Sequence, residues 1–313
     1  PSCTKDWKEV IGDGFLYEST VGAVAEALVL MVAIRKILPI VQTYRSLKAK
    51  ETKAGKTFQT HGLVLVSGCL VTIAVFMVMI CTLTGSYHRY PINEPIGLLS
   101  ITSFYLGYAC LMGACMGTLL LIRRLLTAEV QTIPKLKPGT EQKILWALVV
   151  VQLFSHLVPM ATLFALEEFN NVYYFRVGLF MAVPGLVLIF GGLIKHLPQL
   201  QTYVESARSY AKADDTKEKL NSLAHKIKIL TIGTKFSVLS AVLVIGLAGF
   251  PLLHEPVVAL VILSYLQCGA IPGLLLALVI FIGKSSVKSS SVKPSQTSST
   301  TNSSQAETKI ASA

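Results

Sequence analysis

Residues 62–84 read GLVLVSGCLVTIAVFMVMICTLT and contain no charged side chain. A helix needs about 20 mostly apolar residues to cross the hydrocarbon of a bilayer, and this stretch is apolar on nearly every side rather than along one stripe. An open sheet would leave backbone groups unpaired in lipid, so a helix is expected. Comparable stretches occur seven times, at residues 17–38, 62–84, 96–122, 143–166, 174–195, 232–253 and 257–283. The sequence therefore predicts an all-α membrane protein built as a seven-transmembrane helix bundle.

The charge distribution predicts the orientation of that bundle. Only 14% of the 313 residues are charged and 52% are hydrophobic, whereas soluble domains carry about 25% charged residues. Basic residues collect on the cytoplasmic side of membranes, and alternate connections here are basic, at residues 45–56, 123–143 and 195–235 and after residue 284. The N-terminus is therefore expected outside and the C-terminus in the cytoplasm. The net charge of +11 then reflects a basic face against the lipid bilayer and its anionic headgroups, and no nucleic-acid partner is expected.

The chain divides into three predicted regions. Residues 1–16 form an extracellular or lumenal N-terminal segment, residues 17–284 the seven-helix transmembrane domain, and residues 285–313 a disordered, Ser/Thr-rich cytoplasmic tail. The first residues lack the apolar core of a cleavable signal peptide, so the first helix is expected to act as an uncleaved anchor. These features predict a multi-pass protein of the plasma membrane or of an internal membrane.

Cysteine usage predicts neither a metal site nor a cofactor. The six cysteines show no metal-ligand spacing, and most fall inside apolar segments, where a thiol behaves as a small apolar side chain. Cys3 and Cys81 lie near the predicted outer face and are candidates for a disulfide, although sequence alone does not establish the Cβ geometry that such a bond needs.

The third basic connection, residues 195–235, contains a helical pattern. Within residues 216–228 the apolar side chains Leu220, Leu223 and Ile227 recur at helical spacing, with lysines on the other faces. We expect the sixth helix to extend out of the membrane into the cytoplasm.

Prolines interrupt the fourth to seventh segments. A proline inside a helix removes a backbone hydrogen bond and kinks the helix, and kinked helices can swing, as a receptor or a transporter requires. Proline is also common in membrane helices generally, which is the simpler explanation for any single one. The predicted kinks are at Pro159, Pro184, Pro251 and Pro272.

Polar side chains at membrane depth indicate function, because they are costly there. Glu26 lies two to three turns inside the first segment, and His156 lies near the middle of the fourth. We predict an outward-opening pocket for an unknown small-molecule ligand; hydrogen bonding between helices without a pocket is the equal alternative. The predicted pocket residues are Glu26, Tyr105, Tyr108, Gln152, His156, Tyr265 and Gln267.

No catalytic signature occurs in the sequence. HExxH, GxSxG and the phosphate-binding GxxxxGKS or GxxxxGKT motifs are absent, and residues 257–283 contain no lysine for a retinal Schiff base. We expect no enzyme activity and no cofactor. Basic residues at the inner face are instead expected to contact a G protein or another cytoplasmic protein, although positive-inside topology alone would also place them there. They are Arg123, Arg124, Lys217, Lys219, Lys226 and Lys228.

The architecture resembles that of G-protein-coupled receptors, but two short motifs of those receptors are missing. The third segment ends Leu121-Ile122-Arg123-Arg124 in place of Asp-Arg-Tyr, and the last segment has no Asn-Pro-x-x-Tyr. A closer resemblance is to the plant tobamovirus multiplication protein family. It rests on Lys56-Thr57-Phe58-Gln59-Thr60-His61, on Gly191-Gly192, and on the spacing of Glu255-Pro256, Tyr265, Pro272 and Phe281-Ile282-Gly283-Lys284. This resemblance implies a receptor-like protein or a membrane scaffold, and it carries over no catalytic residue.

A repeated motif supports a different class of protein. Residues 36–44 (KILPIVQTY) and 195–203 (KHLPQLQTY) share six residues at the same spacing. Parallel three-helix repeats joined by a linker helix occur in some small transporters, and Pro198-Gln199 resembles the PQ-loop family, which has that three-plus-one-plus-three architecture. Small-solute transport is therefore the alternative function, and chance similarity and a scaffold without a ligand also stay open. The motif residues are Pro39, Gln42, Tyr44, Pro198, Gln201 and Tyr203.

Overall fold

A computed structural model describes residues 14–49, 55–84, 95–129, 140, 143–144, 146–148, 150–151, 172–211, 213–248 and 269–283. Six helices account for nearly all of them: α1 Gly14–Ala49, α2 Gly55–Leu83, α3 Pro95–Glu129, α4 Val172–Tyr210, α5 Asp214–Ala248 and α6 Ile271–Ile282. The described residues between 143 and 151 are also helical. No strand occurs within these ranges, so the all-α prediction is confirmed for the described part of the chain.

The helices follow the predicted apolar segments. α1 and α3 contain the first and third segments, and α2 contains the second except for its last residue. α4 contains the fifth segment, α5 contains residues 232–248 of the sixth, and α6 is the end of the seventh. Among the described residues, two stretches are long and apolar enough to cross a membrane, namely His61–Leu83 and Thr102–Thr127. The second is 72% buried, as the core helix of any protein would be, but the first is only 44% buried. Much of the apolar surface of α2 is therefore not covered by protein.

The helices pack into a closed ring in chain order. Each helix packs against the next one, and α6 returns to pack against α1. α6 also packs against α2 and α3, and eight of its twelve residues are buried. The core runs along the inside of this ring, where the largest fully buried side chains include Leu63, Met112, Ile122, Leu193 and Leu275.

Two sets of contacts define the two ends of the ring. At one end, called here the Glu26 end, Glu26 of α1 meets Thr82 near the end of α2. At the opposite end, called the Lys36 end, a Cβ added to Gly68 of α2 would lie 3.3 Å from Ile37 of α1. α2 therefore runs antiparallel to α1. α3 begins at the Glu26 end and runs in the same direction as α1, because Ser100 in its second turn lies beside Cys81.

α4 and α5 form a helical hairpin that extends beyond the Lys36 end. α4 continues to Tyr210 and α5 begins at Asp214, so only residues 211–213 separate them. Residues 216–228 are helical, Leu220 and Ile227 are buried and Leu223 is half-buried. The sixth helix is therefore continuous with this segment, as predicted, while the position of the extension in the cytoplasm stays a prediction. The matching extension of the fifth helix was not predicted, and the 195–235 stretch is therefore a pair of helices rather than a long connection with one helical part.

The extension of α4 has a simple physical cause. Leu193, Leu197, Leu200 and Val204 recur every three or four residues and are all buried, so one face of α4 continues to pack on the ring and then on α5. The loss of one backbone hydrogen bond at Pro198 is outweighed by this continuous apolar face.

Candidate functional site

Glu26 is the centre of a buried polar cluster at the Glu26 end. Its side chain has no solvent exposure, although α1 is otherwise apolar over the neighbouring turns. Thr82 Oγ1 donates a hydrogen bond of 3.1 Å to Glu26 Oε1. Glu26 Oε2 is also buried and has no hydrogen-bond partner among the described residues. One carboxyl oxygen is therefore held by the protein, and the other is available to a proton or to a bound group.

The cluster extends across α2 to α3. Cys81, next to Thr82, places its Sγ 3.8 Å from Ser100 Oγ, and either atom can be the donor. Ser100 and Ser103, one turn apart on α3, are both buried. Hydroxyls and thiols can donate to or accept from a neighbour by rotation. This arrangement of a carboxyl with hydroxyl and thiol groups can hold a hydrogen-bond donor or a cationic group next to Glu26.

Cys81 is one partner of the candidate disulfide with Cys3. Its thiol is free and buried in the structure, where it contacts Ser100, and Cys3 lies outside the described residues. The candidate bond between them stays a prediction.

The three predicted pocket residues that the structure describes, Glu26, Tyr105 and Tyr108, lie at different depths along the bundle. Tyr105 and Tyr108 are half-buried on α3, and Tyr108 lies about 12 Å along the helix from Ser100 at 1.5 Å per residue. Tyr105 packs edge-to-face on Phe104, with 5.6 Å between ring centroids. Glu26 is bonded to Thr82, and the neighbouring Cys81 contacts Ser100. The remaining pocket candidates, Gln152, His156, Tyr265 and Gln267, lie outside the described residues.

Thr82 and Cys81 were missed by sequence reasoning. The available signal was depth: both lie at the C-terminal end of the second segment, and Glu26 lies in the N-terminal half of the first. Two antiparallel neighbouring helices bring such residues to one level, but the face that each presents depends on packing.

A second site lies at the Lys36 end, where three helices meet. Lys226 of α5 donates a hydrogen bond of 2.6 Å to the backbone oxygen of Gly283, just after α6. A Cβ added to Gly283 would lie only 2.9 Å from Cβ of Lys36 on α1, so both lysines lie against this glycine. Burial lowers the pKa of Lys226 to about 8, and the nearby charge of Lys36 contributes in the same direction.

The other basic residues proposed for cytoplasmic coupling have different surroundings. Lys217 and Lys219 are exposed on the first two turns of α5. Lys217 Nζ lies 4.0 Å from Asp214 Oδ1, and Lys219 Nζ lies 2.8 Å from Asp215 Oδ2. Lys228 is exposed, and Arg123 and Arg124 are half-buried on α3. Nε of Arg123 is buried and has no hydrogen-bond partner among the described residues. Lys226 differs from the three exposed lysines because it is half-buried and its ammonium group bonds to a residue at the end of another helix.

Two of the four predicted kink prolines lie in described helices. Pro184 is inside α4. Pro272 lies in the first turn of α6 and is preceded by a π-helical turn at residues 269–270, which is the kind of local adjustment that a proline requires. Pro159 and Pro251 lie outside the described residues.

The two motif copies share a local structure but not a buried face. Both are helical, and in both the threonine hydroxyl donates to the proline carbonyl oxygen, from Thr43 to Pro39 at 2.8 Å and from Thr202 to Pro198 at 3.1 Å. Leu38, however, is 55% exposed, whereas the corresponding Leu197 is 1% exposed. Gln42 is exposed, Gln201 is half-buried, and Tyr44 and Tyr203 are both half-buried.

Comparison of the chain with protein-family models, with curated proteins and with solved structures gives no match. Function is therefore argued from the two sites and from the packing of the helices.

Proposed function

We propose that the chain is a receptor-like seven-transmembrane protein, in which the Glu26 cluster opens outward and controls the cytoplasmic hairpin of α4 and α5. The observation that carries the proposal is the link between this hairpin and the last helix through Lys226 and Gly283. A shift of α6 in the ring would move α5, because the bond joins the two helices at the Lys36 end. The hairpin with its exposed Lys217, Lys219 and Lys228 would then contact a G protein or another cytoplasmic partner.

An apolar stripe on the outside of α1 supports placement in a membrane. The exposed apolar side chains of α1 follow one another every three or four residues and lie on one face of the helix. They span about 26 Å at 1.5 Å per residue, close to the roughly 30 Å of a bilayer core. A soluble protein would not leave such a face uncovered. The stripe consists of Val21, Val24, Leu28, Met31, Ile34 and Leu38.

The directions of α3 and α4 support the count of seven. α3 runs from the Glu26 end to the Lys36 end. α4 meets it at Gly192, whose added Cβ would lie 2.6 Å from Leu119 Cδ2, and continues in the same direction to the hairpin. Two parallel helices require the chain between them to return to the Glu26 end, and residues 143–166 form the predicted fourth apolar segment. With this return the chain would cross the bilayer seven times.

Transport is the second candidate, and one feature of the packing favours it. If α1 to α3 and α4 to α6 were two repeats, the contact between α1 and α6 would correspond to that between α4 and α3, and both pairs pack. Against a repeat, the two motif copies bury different faces, since Leu38 is exposed and Leu197 is buried. We therefore rank transport below receptor-like signalling.

The topology can be tested by cysteine substitution and labelling in intact membranes. In a chain whose six natural cysteines are replaced by serine, a cysteine replacing Asp13 should react with a membrane-impermeant maleimide from outside, and one replacing Asp214 should react only after permeabilisation. A replacement at Ser289 in the tail should behave like the one at Asp214. Labelling of positions 13 and 289 from the same side would contradict an odd number of crossings.

The function can be tested with the purified protein in lipid nanodiscs and in liposomes. In nanodiscs, nucleotide exchange on a panel of heterotrimeric G proteins should be accelerated, and Glu26→Gln should change that rate. The matched control is Thr72→Val, which removes a hydroxyl bonded to Gly68 O on α2 away from the Glu26 cluster. In liposomes, saturable uptake of amino acids, sugars or organic acids that Pro39→Leu or Pro198→Leu abolishes would overturn the receptor proposal in favour of transport.

A further inference from the structure

The lysine pair at the Lys36 end lacks a counter-charge within the described part of the chain. Lys226 is bonded to Gly283 O, a backbone group at the negative end of α6. Among the described residues, neither Lys226 nor Lys36 forms an ion pair with a carboxylate. The described acidic residues of α5, namely Asp214, Asp215 and Glu218, lie two to three turns further from the ring. Two like charges held close together at a partly buried position attract an anion.

Three helices bring the two lysines together. α1 and α5 both pack against α6, but they are not a closely packed pair themselves. The stem of Lys36 packs directly on Gly283, since an added Cβ would lie 2.9 Å from Lys36 Cβ and 3.2 Å from its Cδ, and Lys226 bonds to the backbone oxygen of the same residue. One lysine from α1 and one from α5 therefore lie at the end of α6.

The lysine pair lies where the apolar surface of the molecule ends. Ile34 and Leu38 are exposed on α1 on either side of Lys36 in the sequence, and Ile232 and Phe236 are exposed on α5 one to three turns beyond Lys226. Basic residues at such a boundary meet lipid headgroups, while exposed apolar residues beside them meet acyl chains. The neighbouring Arg35 is also exposed and adds positive charge.

We propose that Lys36 and Lys226 bind the phosphate of an anionic phospholipid headgroup from the inner leaflet, where α1 and α5 meet the end of α6. A phosphomonoester headgroup fits best, because its charge of about −1.5 to −2 matches two ammonium groups. The acyl chains would lie along Met31 and Ile34 of α1. The bound lipid would bridge α1 and α5 and share Lys226 with Gly283. This inference rests on the membrane placement proposed above, but not on receptor activity.

The test measures lipid retention by the full-length protein. Protein reconstituted in phosphatidylcholine nanodiscs would be titrated with fluorescent phosphatidylinositol 4-phosphate, and with phosphatidylinositol as the headgroup lacking the phosphomonoester. We expect preferential binding of the phosphorylated lipid, and a loss of about fivefold in affinity for Lys36→Gln and for Lys226→Gln. Lys226→Arg should retain binding, because the charge is kept.

Matched controls separate a defined site from general surface charge. Lys217→Gln and Lys228→Gln remove exposed lysines of the same helix and should leave affinity unchanged. An equal loss for all four Gln variants would mean diffuse electrostatic attraction and would overturn the site. If Lys226→Gln fails to fold, Lys36→Gln gives the same test, because no hydrogen bond of the described residues involves the Lys36 ammonium group.

Competition identifies the source of the phosphate. If inorganic phosphate displaces the lipid at equal concentration, the ligand of the lysine pair is a soluble anion and the lipid proposal is overturned. A peptide of residues 284–293 that carries phosphoserine could also occupy the lysine pair. If it displaces the lipid from the wild-type protein and binds neither Lys36→Gln nor Lys226→Gln, the site belongs to the tail and the lipid proposal is overturned. Absence of any preference for the phosphorylated lipid would overturn it too, while leaving the nucleotide-exchange test of the receptor proposal unaffected, since that test needs no such lipid.

Discussion

Residues 36–44 in α1 and residues 195–203 in α4 are nearly the same sequence in two different surroundings. Both copies are helical and both have a hydrogen bond from threonine to the proline carbonyl. The buried positions differ: Ile37 and Ile40 are buried in the first copy, and Leu197 and Leu200 in the second. In motif register the buried face has moved by one residue, which is about 100° around the helix. Local structure thus follows the shared residues, while the buried face is set by the neighbouring helices.

The largest difference is expected between Leu197→Ala and Leu38→Ala. Leu197 is fully packed, so its truncation should cost about 2–5 kcal/mol of stability. Leu38 is exposed at the end of the apolar stripe of α1, and its truncation should cost less than about 0.5 kcal/mol. Thermal unfolding in detergent, followed by reaction of the buried Cys115 thiol with a maleimide dye, would measure both. Equal losses for the two variants would mean that the copies are equivalent, and the repeat interpretation would gain strength.

A smaller contrast is expected one turn before the second copy, at Gly191 and Gly192. Nothing lies within 4 Å of a Cβ added to Gly191, whereas one added to Gly192 would lie 2.6 Å from Leu119 Cδ2. Gly191→Ala should be neutral or stabilising by up to about 1 kcal/mol, because alanine favours helix. Gly192→Ala should cost about 1–3 kcal/mol if α3 and α4 must move apart. The same unfolding assay decides this, and a stabilised Gly192→Ala would show that Leu119 turns aside freely.

The first residue of each copy tests charge rather than packing. Lys36 is near Lys226 and contributes to lowering its pKa to about 8, whereas Lys195 is exposed. Lys36→Gln should therefore raise the pKa of Lys226 towards its ordinary value, and Lys195→Gln should leave it unchanged. Competitive acylation of the amino groups at a series of pH values, read by mass spectrometry, gives the pKa of Lys226 in each variant.

The same group has a consequence for stability. Lys226 binds its proton less tightly in the folded protein than in the unfolded chain, whose lysine pKa is 10.5. Between about pH 8 and 10.5 the unfolded state therefore holds more protons, and stability should rise with pH in this window. Lys226→Gln should remove this contribution while keeping other titrations. If the difference in stability between the wild-type protein and Lys226→Gln fell across that window, the lowered pKa of Lys226 would be contradicted.

The smallest effect is expected where the copies agree. Thr43→Val and Thr202→Val each remove one hydroxyl bonded to a proline carbonyl within the same helix. Each should cost about 0.5–1 kcal/mol or less, since the backbone carbonyl keeps other partners. Similar small losses in both would support a shared local role for the motif. A much larger loss in one copy would mean that its threonine has a tertiary role as well.

The outcome for the candidate sites shows the limit of sequence reasoning. Glu26 was singled out because a carboxyl in an apolar segment is costly, and the structure places it fully buried with Thr82. Lys226 was assigned to the cytoplasmic surface by its charge, but it is half-buried and bonded to Gly283. A lysine on a periodic helix can lie on either face, and its exposure depends on which helix lies opposite.

The sequence by itself determined the helical character of the described chain, the apolar lengths of its segments and the costly position of Glu26. These properties follow from composition over short windows, because apolar length and backbone hydrogen bonding act locally. The tertiary structure alone decided which faces are buried, why Leu38 and Leu197 differ, and how Lys36, Lys226 and Gly283 come together. Those contacts join residues that are distant in the chain, and their free energy depends on the simultaneous packing of at least three helices.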